Sequence, residues 1–281
     1  MESATRIQLF GTPRITIAGQ PIVLTSSPLV QLIGYVALHA AAGRAVTRSK
    51  LAGTLFPDQT EAHARRLLSE TLYRLRRTLG DQADTMLRAD EDLIALGPVR
   101  IDVNEFRAHT NAPNLTDWRA AIELYAGDLL EDLDAEWVLG TRASLHEQHL
   151  ALLERTCAAC IEAGDLAAAL SYAHRWTLAD PLREEAHRTA MQLYAQLGRH
   201  AAALQQFNQL TRLLADELQA EPLPETQALA DSIRSELEAH HPLIRRRVFV
   251  GRRRERALLL ERVEQHSLAV VDSSSLKDNP A

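Results

Sequence analysis

Apolar and polar residues alternate along the first 25 residues of the chain. The alternating apolar residues come in three pairs, Ile7 and Leu9, Ile15 and Ile17, and Ile22 and Leu24. Turn-forming residues at 11–13 and 19–20 separate the pairs. Period-two alternation is typical of strands with one buried face, so the pattern predicts a small antiparallel meander.

Three helices and a hairpin are predicted next. Residues 28–40 carry one apolar stripe, and a second, short helix begins after Thr47 as its N-cap and ends near Pro57. A third helix over residues 62–79 carries a stripe at spacings of four and three, formed by Ala64, Leu68, Leu72, Leu75 and Leu79. Residues 86–89 and 93–96 predict a hairpin around the acidic tip 90–92. Strands, helices and hairpin in this order predict a winged helix.

The third helix is locally basic on an acidic chain. Residues 62–79 contain five arginines and one glutamate, a balance of +4, whereas the whole chain has a net charge of −6. Arginine side chains bind phosphate oxygens and the guanine edge, and a helix fits the major groove of DNA. A solvated basic face is the ordinary alternative. The position of this helix behind two supporting helices favours DNA binding, as in a helix-turn-helix.

The apolar stripe indicates which side chains of the third helix point outward. We expect four residues to face the groove: Arg66, Ser69, Tyr73 and Arg77. Phosphate contacts are predicted for Arg65, Arg74 and Arg76 on its flanks. Thr47 and Arg48 are expected to add a phosphate contact through free amides at the start of the second helix. Arg88 supports a role for the hairpin, although the three carboxylates at its tip would repel a phosphate backbone.

From residue 102 onward the pattern is helical and repetitive. Gly164-Asp165-Leu166 is echoed by Gly198-Arg199-His200, an offset of 34 residues. This period is typical of tetratricopeptide (TPR) repeats, in which helix pairs bury their faces by stacking on neighbours. Asp180-Pro181 lies where such a repeat ends its second helix.

Composition and motifs narrow the function classes. No apolar stretch is long enough for a membrane span and no signal pattern begins the chain, so we predict a cytoplasmic protein without membrane contact. Cys157 and Cys160 lie three apart in a helical pattern and are predicted to be core thiols. His146 and His149 lack the spacing of a zinc-protease helix. Without a phosphate loop or a hydrolase elbow, we predict no catalytic site, no cofactor, no metal and no enzyme activity.

Several runs resemble the Streptomyces antibiotic regulatory protein family. The N-terminal runs are Leu9-Phe10-Gly11, residues 46–51 and residues 74–77, which resemble the OmpR-type winged helix of that family. Residues 125–130, residues 180–185 and the run Leu197-Gly198-Arg199 resemble its bacterial transcriptional activation domain. The resemblance covers about residues 6–235. It implies a regulator that binds direct repeats of double-stranded promoter DNA as a homodimer and recruits RNA polymerase. The acidic hairpin tip departs from the Gly-rich wing of the family.

Pattern and resemblance together predict a mainly α protein with a small β portion. We expect a winged helix-turn-helix DNA-binding domain over residues 1–100 and a TPR-like activation domain over 101–240. Residues 241–281 are expected to be a linker and the start of a truncated C-terminal module. We expect no phosphoacceptor domain before the first strand, and we therefore expect control from the C-terminal side, from concentration or from a ligand. The functional hypothesis is a sequence-specific transcriptional activator, and the alternative is a TPR-type interaction scaffold whose winged helix does not bind DNA.

Overall fold

The computed structural model describes residues 5–24, 26–40 and 44–240. Its strands there are β1 (Arg6–Gln8), β2 (Arg14–Ile17), β3 (Gln20–Val23), β4 (Val46–Thr47), β5 (Leu87–Ala89), β6 (Leu93–Leu96) and β7 (Arg100–Ile101). Its helices there are α1 (Ser27–Ala40), α2 (Arg48–Leu55), α3 (Glu61–Leu79), α4 (Ala83–Met86), α5 (Asp102–Asn111), α6 (Leu115–Leu124), α7 (Glu136–Glu162), α8 (Leu166–Ala179), α9 (Glu184–Gln196), α10 (His200–Leu218) and α11 (Pro224–His240). The predicted mainly α fold with a small β portion is confirmed. The predicted linker and module at 241–281 lie outside the described residues.

The N-terminal strands form the predicted antiparallel meander. Ile7 pairs with Ile15, and Ile15 pairs with Ile22, so the alternating apolar residues share one face. β7 adds a fourth strand parallel to β1, with Ile7 opposite Ile101. Because β7 leads directly into α5, the predicted boundary between residues 100 and 101 falls within this strand.

The hairpin of β5 and β6 forms a second sheet with β4. Leu87 pairs with Leu96, and Thr47 of β4 pairs with Leu93. The hairpin begins one residue later than predicted, since Met86 is the last residue of the short helix α4. A 3-10 turn at Gly80–Gln82 connects α3 to α4. Three helices, the meander and this hairpin confirm the winged helix.

The chain divides into two compact units, Met1–Leu193 and Tyr194–Ala281. In the first unit, one buried core continues from the winged helix into the following helices, and Leu32, Leu75, Phe106 and Leu145 all belong to it. In the second unit, α10 and α11 pack against each other. None of the helices within the described residues combines the length and apolar character needed to cross a bilayer.

The 34-residue offset arises because two helices, α7 and α9, end with the same backbone geometry. Gly164 and Gly198 both have a positive φ, of 76° and 71°. The amide of Asp165 donates to the carbonyl of Cys160, and that of Arg199 donates to the carbonyl of Tyr194. A bond across five residues with glycine in the left-handed region is the Schellman ending of a helix. The second helix of the first pair ends at Asp180, as predicted.

Candidate nucleic-acid interface

Helix α3 buries one face and exposes the other because its apolar residues recur at helical spacing. Ala64, Leu68, Leu72, Leu75 and Leu79 are all buried, which confirms the predicted stripe. Thr71 is buried beside them and donates its hydroxyl to the carbonyl of Leu67. The helix ends at Gly80, whose φ of 57° lies in the left-handed region.

The outward face of α3, defined as Arg66, Ser69, Tyr73 and Arg77, is exposed to solvent along its length. Tyr73 is 64% exposed, which is unusual for an aromatic side chain that has a neighbouring core to join. The flanking Arg65, Arg74 and Arg76 are exposed as well. The structure therefore places all seven predicted α3 residues on the solvent side of one helix, while contact with DNA stays a prediction.

The arginines of α3 fall into two groups by their partners. Arg65 pairs with Glu61 at 2.6 Å, and Arg66 lies 3.7 Å from Glu70. All four side chains are more than half exposed, and such pairs contribute little to stability. Among the residues that the structure describes, the guanidinium groups of Arg74, Arg76 and Arg77 have no hydrogen-bond or ion-pair partner. These cations are available for an anionic ligand at little cost.

Arg48 connects the start of α2 to both α3 and the hairpin tip. Its guanidinium donates to the hydroxyl of Ser69 at 3.2 Å and to the carbonyl of Asp90 at 3.3 Å. Its backbone amide donates to the carbonyl of Asp92. Arg48 therefore fixes the wing against α3, a role that sequence reasoning missed.

The first turn of α2 differs from the expectation of free amides. The Thr47 hydroxyl accepts a hydrogen bond from the amide of Lys50 at 3.3 Å, which confirms Thr47 as the N-cap. The amide of Arg48 is bonded to Asp92, as described above. Two of the backbone amides expected to bind a phosphate, those of Arg48 and Lys50, thus already have hydrogen-bond acceptors. Thr47 and Arg48 therefore remain candidate phosphate-binding residues only through the exposed surface around them, and not through these two amides.

An open groove of about 530 Å³ separates α3 from the hairpin tip. Arg65 and Ser69 line one side, and Glu91 and Asp92 line the other. Asp90 is used within the tip, where Oδ1 accepts from the amides of Asp92 and Leu93. Arg88 is exposed on β5. The acidic wall faces a basic helix, so an anionic backbone is favoured along α3 and disfavoured at the tip.

A second set of residues, which the sequence did not reveal, joins the winged helix to the helices behind it. Asp102 is buried, and its Oδ2 accepts from the amides of Leu9 at 2.7 Å and Phe10 at 2.9 Å. Burial raises the pKa of Asp102, and these amide hydrogen bonds oppose the rise. The Tyr125 hydroxyl donates to Asp128, and Phe10 forms an antiparallel bridge with Leu129.

Arg142 of α7 holds the turn that follows this bridge. Its guanidinium donates to three carbonyls, those of Leu129, Leu130 and Leu133. Leu130 needs this support because its φ of 47° lies in the left-handed region, which is strained for a branched side chain. The motif at residues 125–130, noted in the sequence only as a resemblance, is thus the contact between the winged helix and the helical region.

The two cysteines and His149 lie in the core, whereas His146 is half-buried. Cys157 and Cys160 are buried free thiols, as predicted, and burial raises the pKa of Cys157 to about 11. His149 is buried against Tyr125, whereas His146 lies 3.2 Å from Asp128. Across the described residues, no three His, Cys, Asp or Glu side chains are grouped so that they would hold a metal ion.

Comparisons with known proteins agree with this architecture. Residues 101–234 match the family described as bacterial transcriptional activator domain. Regulatory protein AfsR of Streptomyces coelicolor is 27% identical over 241 residues, which cover 82% of this chain and 24% of that protein. Regulatory protein AfsR of Streptomyces griseus is 27% identical over 229 residues, covering 76% of this chain and 23% of its own length. The chain thus spans about a quarter of the length of these relatives.

A solved structure shares the fold. Mycobacterium tuberculosis EmbR, in complex with a low-affinity phosphopeptide, matches with a TM-score of 0.63 and 22% identity. The match covers 83% of this chain and 65% of that one. A winged helix with an exposed arginine face, followed by an activator-type helical domain, is the arrangement expected from the sequence runs at 9–11, 125–130 and 180–185. The family match over residues 101–234 and the two regulatory relatives therefore support the resemblance of this chain to the Streptomyces antibiotic regulatory protein family.

Proposed function

We propose that this chain is a sequence-specific DNA-binding regulator that acts in the bacterial cytoplasm, with α3 as its recognition helix. The observation that carries the proposal is the outward face of α3. Arg66, Ser69, Tyr73 and Arg77 project from a helix whose opposite side is buried. A helix of this kind fits the major groove, where arginine pairs with guanine and flanking cations pair with phosphates.

The roles within the interface follow from the partners of each side chain. Arg77 has no partner among the described residues, and Arg66 has only exposed, weak ones, so both are free to form hydrogen bonds with base edges. The Ser69 hydroxyl donates to the carbonyl of Arg65 and accepts from Arg48. It is therefore a packing and positioning element of the interface more than a donor to a base. Arg74 and Arg76 are assigned to the phosphates.

We propose binding to direct repeats as a side-by-side homodimer because the chain resembles the Streptomyces antibiotic regulatory protein family. One winged helix contacts only a few base pairs, so two modules on the same face of the duplex supply longer recognition. Two such modules need centres roughly one helical turn apart, about 10–11 base pairs. Recruitment of RNA polymerase is proposed for the helical region, which exposes Leu182 at 36% within the 180–185 motif and Leu178 at 78% next to it.

Selection of bound fragments from a random DNA pool tests the proposal. We expect a recovered motif that occurs twice in one orientation with centres about one turn apart, bound by two chains. A single motif bound by one chain would retain DNA recognition and reject the dimer. A pool without any common sequence, together with no affinity for DNA at low salt, would reject DNA recognition and favour the interaction scaffold, because even nonspecific binding is strongest at low salt.

Transcription with purified RNA polymerase tests the second part. The template carries the selected repeats upstream of a weak promoter, and the control template carries them scrambled. We expect the protein to raise transcript yield only from the first template. Equal yields from both templates, despite binding to the repeats, would reject recruitment while leaving DNA recognition intact.

A further inference from the structure

A cavity of about 420 Å³ lies between the winged helix and the helices behind it, within the first compact unit. Tyr35 and His39 of α1 and Thr54 of α2 line it from the winged helix. Arg107 of α5 and Trp137 of α7 line it from the other side. Small-molecule sites in proteins usually enclose about 300–1,000 Å³, so the cavity has the size of a ligand pocket.

One wall of the cavity is aromatic. Tyr35 stacks on His39 with ring centroids 4.2 Å apart, and its edge meets the Trp137 ring at 5.1 Å. His39 is held in place because its Nδ1 lies 2.9 Å from the Tyr35 carbonyl. Three rings fixed in this way form a rigid apolar surface, which suits the planar part of a ligand.

The residues with a fixed charge that line the cavity are both arginines. Arg107 is half-buried, and Arg44 lies at the edge; neither guanidinium has a hydrogen bond or an ion pair with any residue that the structure describes. No aspartate or glutamate lines the cavity among the described residues. A half-buried cation without a partner is costly, and an anion in the cavity would satisfy the Arg107 guanidinium.

A neighbouring cavity, which is lined partly by acidic residues, indicates at which end an anionic group would bind. It has a volume of about 630 Å³ and shares Thr54 and Trp137 with the first cavity. Its lining includes Asp134 and Glu136, so its charge has the opposite sign. An anionic group would therefore be repelled from this second cavity and attracted to the end that holds Arg107.

We propose that the cavity at Arg107 and Trp137 is a binding site for a small anionic ligand with a planar aromatic body. The anion pairs with the Arg107 guanidinium, and the planar body packs against Tyr35 and Trp137. Because the walls come from α1 and α2 on one side and α5 and α7 on the other, the ligand would bridge the winged helix and the helical region. The site is independent of α3, so it does not depend on DNA binding.

Two fluorescent probes that differ mainly in charge test the proposal on the full chain. One is 1-anilinonaphthalene-8-sulfonate, and the other is N-phenyl-1-naphthylamine, which has the same aromatic body without the sulfonate. A charge-assisted hydrogen bond to Arg107 should make the Kd of the sulfonate about tenfold lower than that of the neutral probe. The substitution Arg107→Gln should remove this difference and leave the Kd of the neutral probe unchanged.

Two further variants locate the binding. Arg212→Gln, an exposed arginine of α10, should change neither Kd. Thr141→Phe adds a ring to a residue that lines the cavity and should weaken both probes by about fivefold or more. Circular dichroism melting confirms that each variant is folded. The proposal is overturned if neither probe binds saturably, if Arg107→Gln leaves the sulfonate Kd unchanged, or if Thr141→Phe affects neither probe.

Discussion

His149 lies flat against Tyr125, with ring centroids 4.1 Å apart and ring planes inclined by 6°. The pair sits beside Phe10, whose ring centroid is 4.7 Å from that of Tyr125. The imidazole Nδ1 is buried and has no hydrogen-bond partner among the described residues. Burial therefore lowers the pKa of His149 to about 4, and the nearby Arg175 and His146 add to the effect. A neutral histidine is thus part of the contact between the winged helix and the helical region.

The first prediction is that stability falls in mild acid because of His149. The folded pKa is about 4, whereas an unfolded histidine titrates near 6.5, so the unfolded chain binds the extra proton first. Stability from this residue is complete above about pH 6.5 and is lost as the pH falls toward 4, by roughly 3 kcal/mol. His149→Phe keeps the stacked ring and removes the proton site. Urea unfolding across this pH range should show a flatter dependence for this variant.

Two comparisons make the pH test specific. His63→Asn changes a histidine on α3, away from this contact, and should keep the dependence of the native chain. Asp102 acts in the opposite direction, because its raised pKa lets the folded chain take up a proton before the unfolded chain does. The assignment to His149 would be contradicted by equal slopes for the native chain and His149→Phe.

The second prediction concerns the close approach of α1 to the turn at Leu130. A Cβ added at Gly34 would come within 2.6 Å of the Leu130 Cδ1, and Leu130 is fully buried. Gly34→Ala should therefore lower the free energy of unfolding by about 1–3 kcal/mol, the usual cost of overpacking a core. Gly140→Ala in α7 meets open space and should instead raise it by about 0.5–1 kcal/mol through helix propensity. Urea unfolding measures the stability of both variants. A Gly34→Ala variant that is more stable than the native chain would contradict the close contact between Gly34 and Leu130.

The third prediction concerns the buried carboxylate that accepts three amides. Asp102 binds the amides of Leu9 and Phe10 through Oδ2 and that of Val103 through Oδ1. An asparagine has only one accepting oxygen, so Asp102→Asn leaves at least one buried amide unpaired and should cost about 1–3 kcal/mol. Asp84→Asn, an exposed change on α4, should cost nothing measurable. Equal unfolding curves for both variants would show that Asp102 does not hold the N-terminal strand.

Local patterns predicted the elements of the winged helix because each depends on neighbours in the chain. The stripe from Ala64 to Leu79 predicted the exposed side of α3, its last residue, and its first residue to within one position. The contacts that join the two regions were not predictable in this way. Asp102 meets Leu9 across 93 residues of chain, and neither residue changes a local periodicity. A lone acidic residue at the start of a helix is usually solvated.

Arg48 shows that contacts between residues far apart in the chain were also not predictable within the candidate interface. Its type and position suggested a phosphate contact, yet its guanidinium reaches Ser69, which lies 21 positions away, and the carbonyl of Asp90, which lies 42 away. An arginine that positions the wing and an arginine that contacts DNA have the same sequence signature. The acidic tip was visible in the sequence, whereas its hydrogen bonds to Arg48 were not.

The fourth prediction separates phosphate contacts from base contacts. Arg74 and Arg76 lie on the flanks of α3 and have no partner within the described residues, so each is expected to meet one phosphate. Arg74→Ala and Arg76→Ala should each lower the slope of log K against log salt by about 1, for every DNA sequence alike. Salt titrations on the selected site and on a scrambled duplex measure both slopes. A loss of affinity confined to the selected site would indicate that Arg74 and Arg76 contact bases and not phosphates.

The fifth prediction, on the outward face of α3, is the most direct test of the central claim. Fluorescence anisotropy compares the native chain with Arg66→Ala, Arg77→Ala and the control Arg212→Ala on the selected DNA site. Removing a base contact should weaken binding by about 1–3 kcal/mol for each of the first two variants, with relaxed discrimination against the scrambled site. Arg212→Ala should bind as the native chain does. If Arg66→Ala and Arg77→Ala also bind the selected site with native affinity, α3 is not the recognition helix.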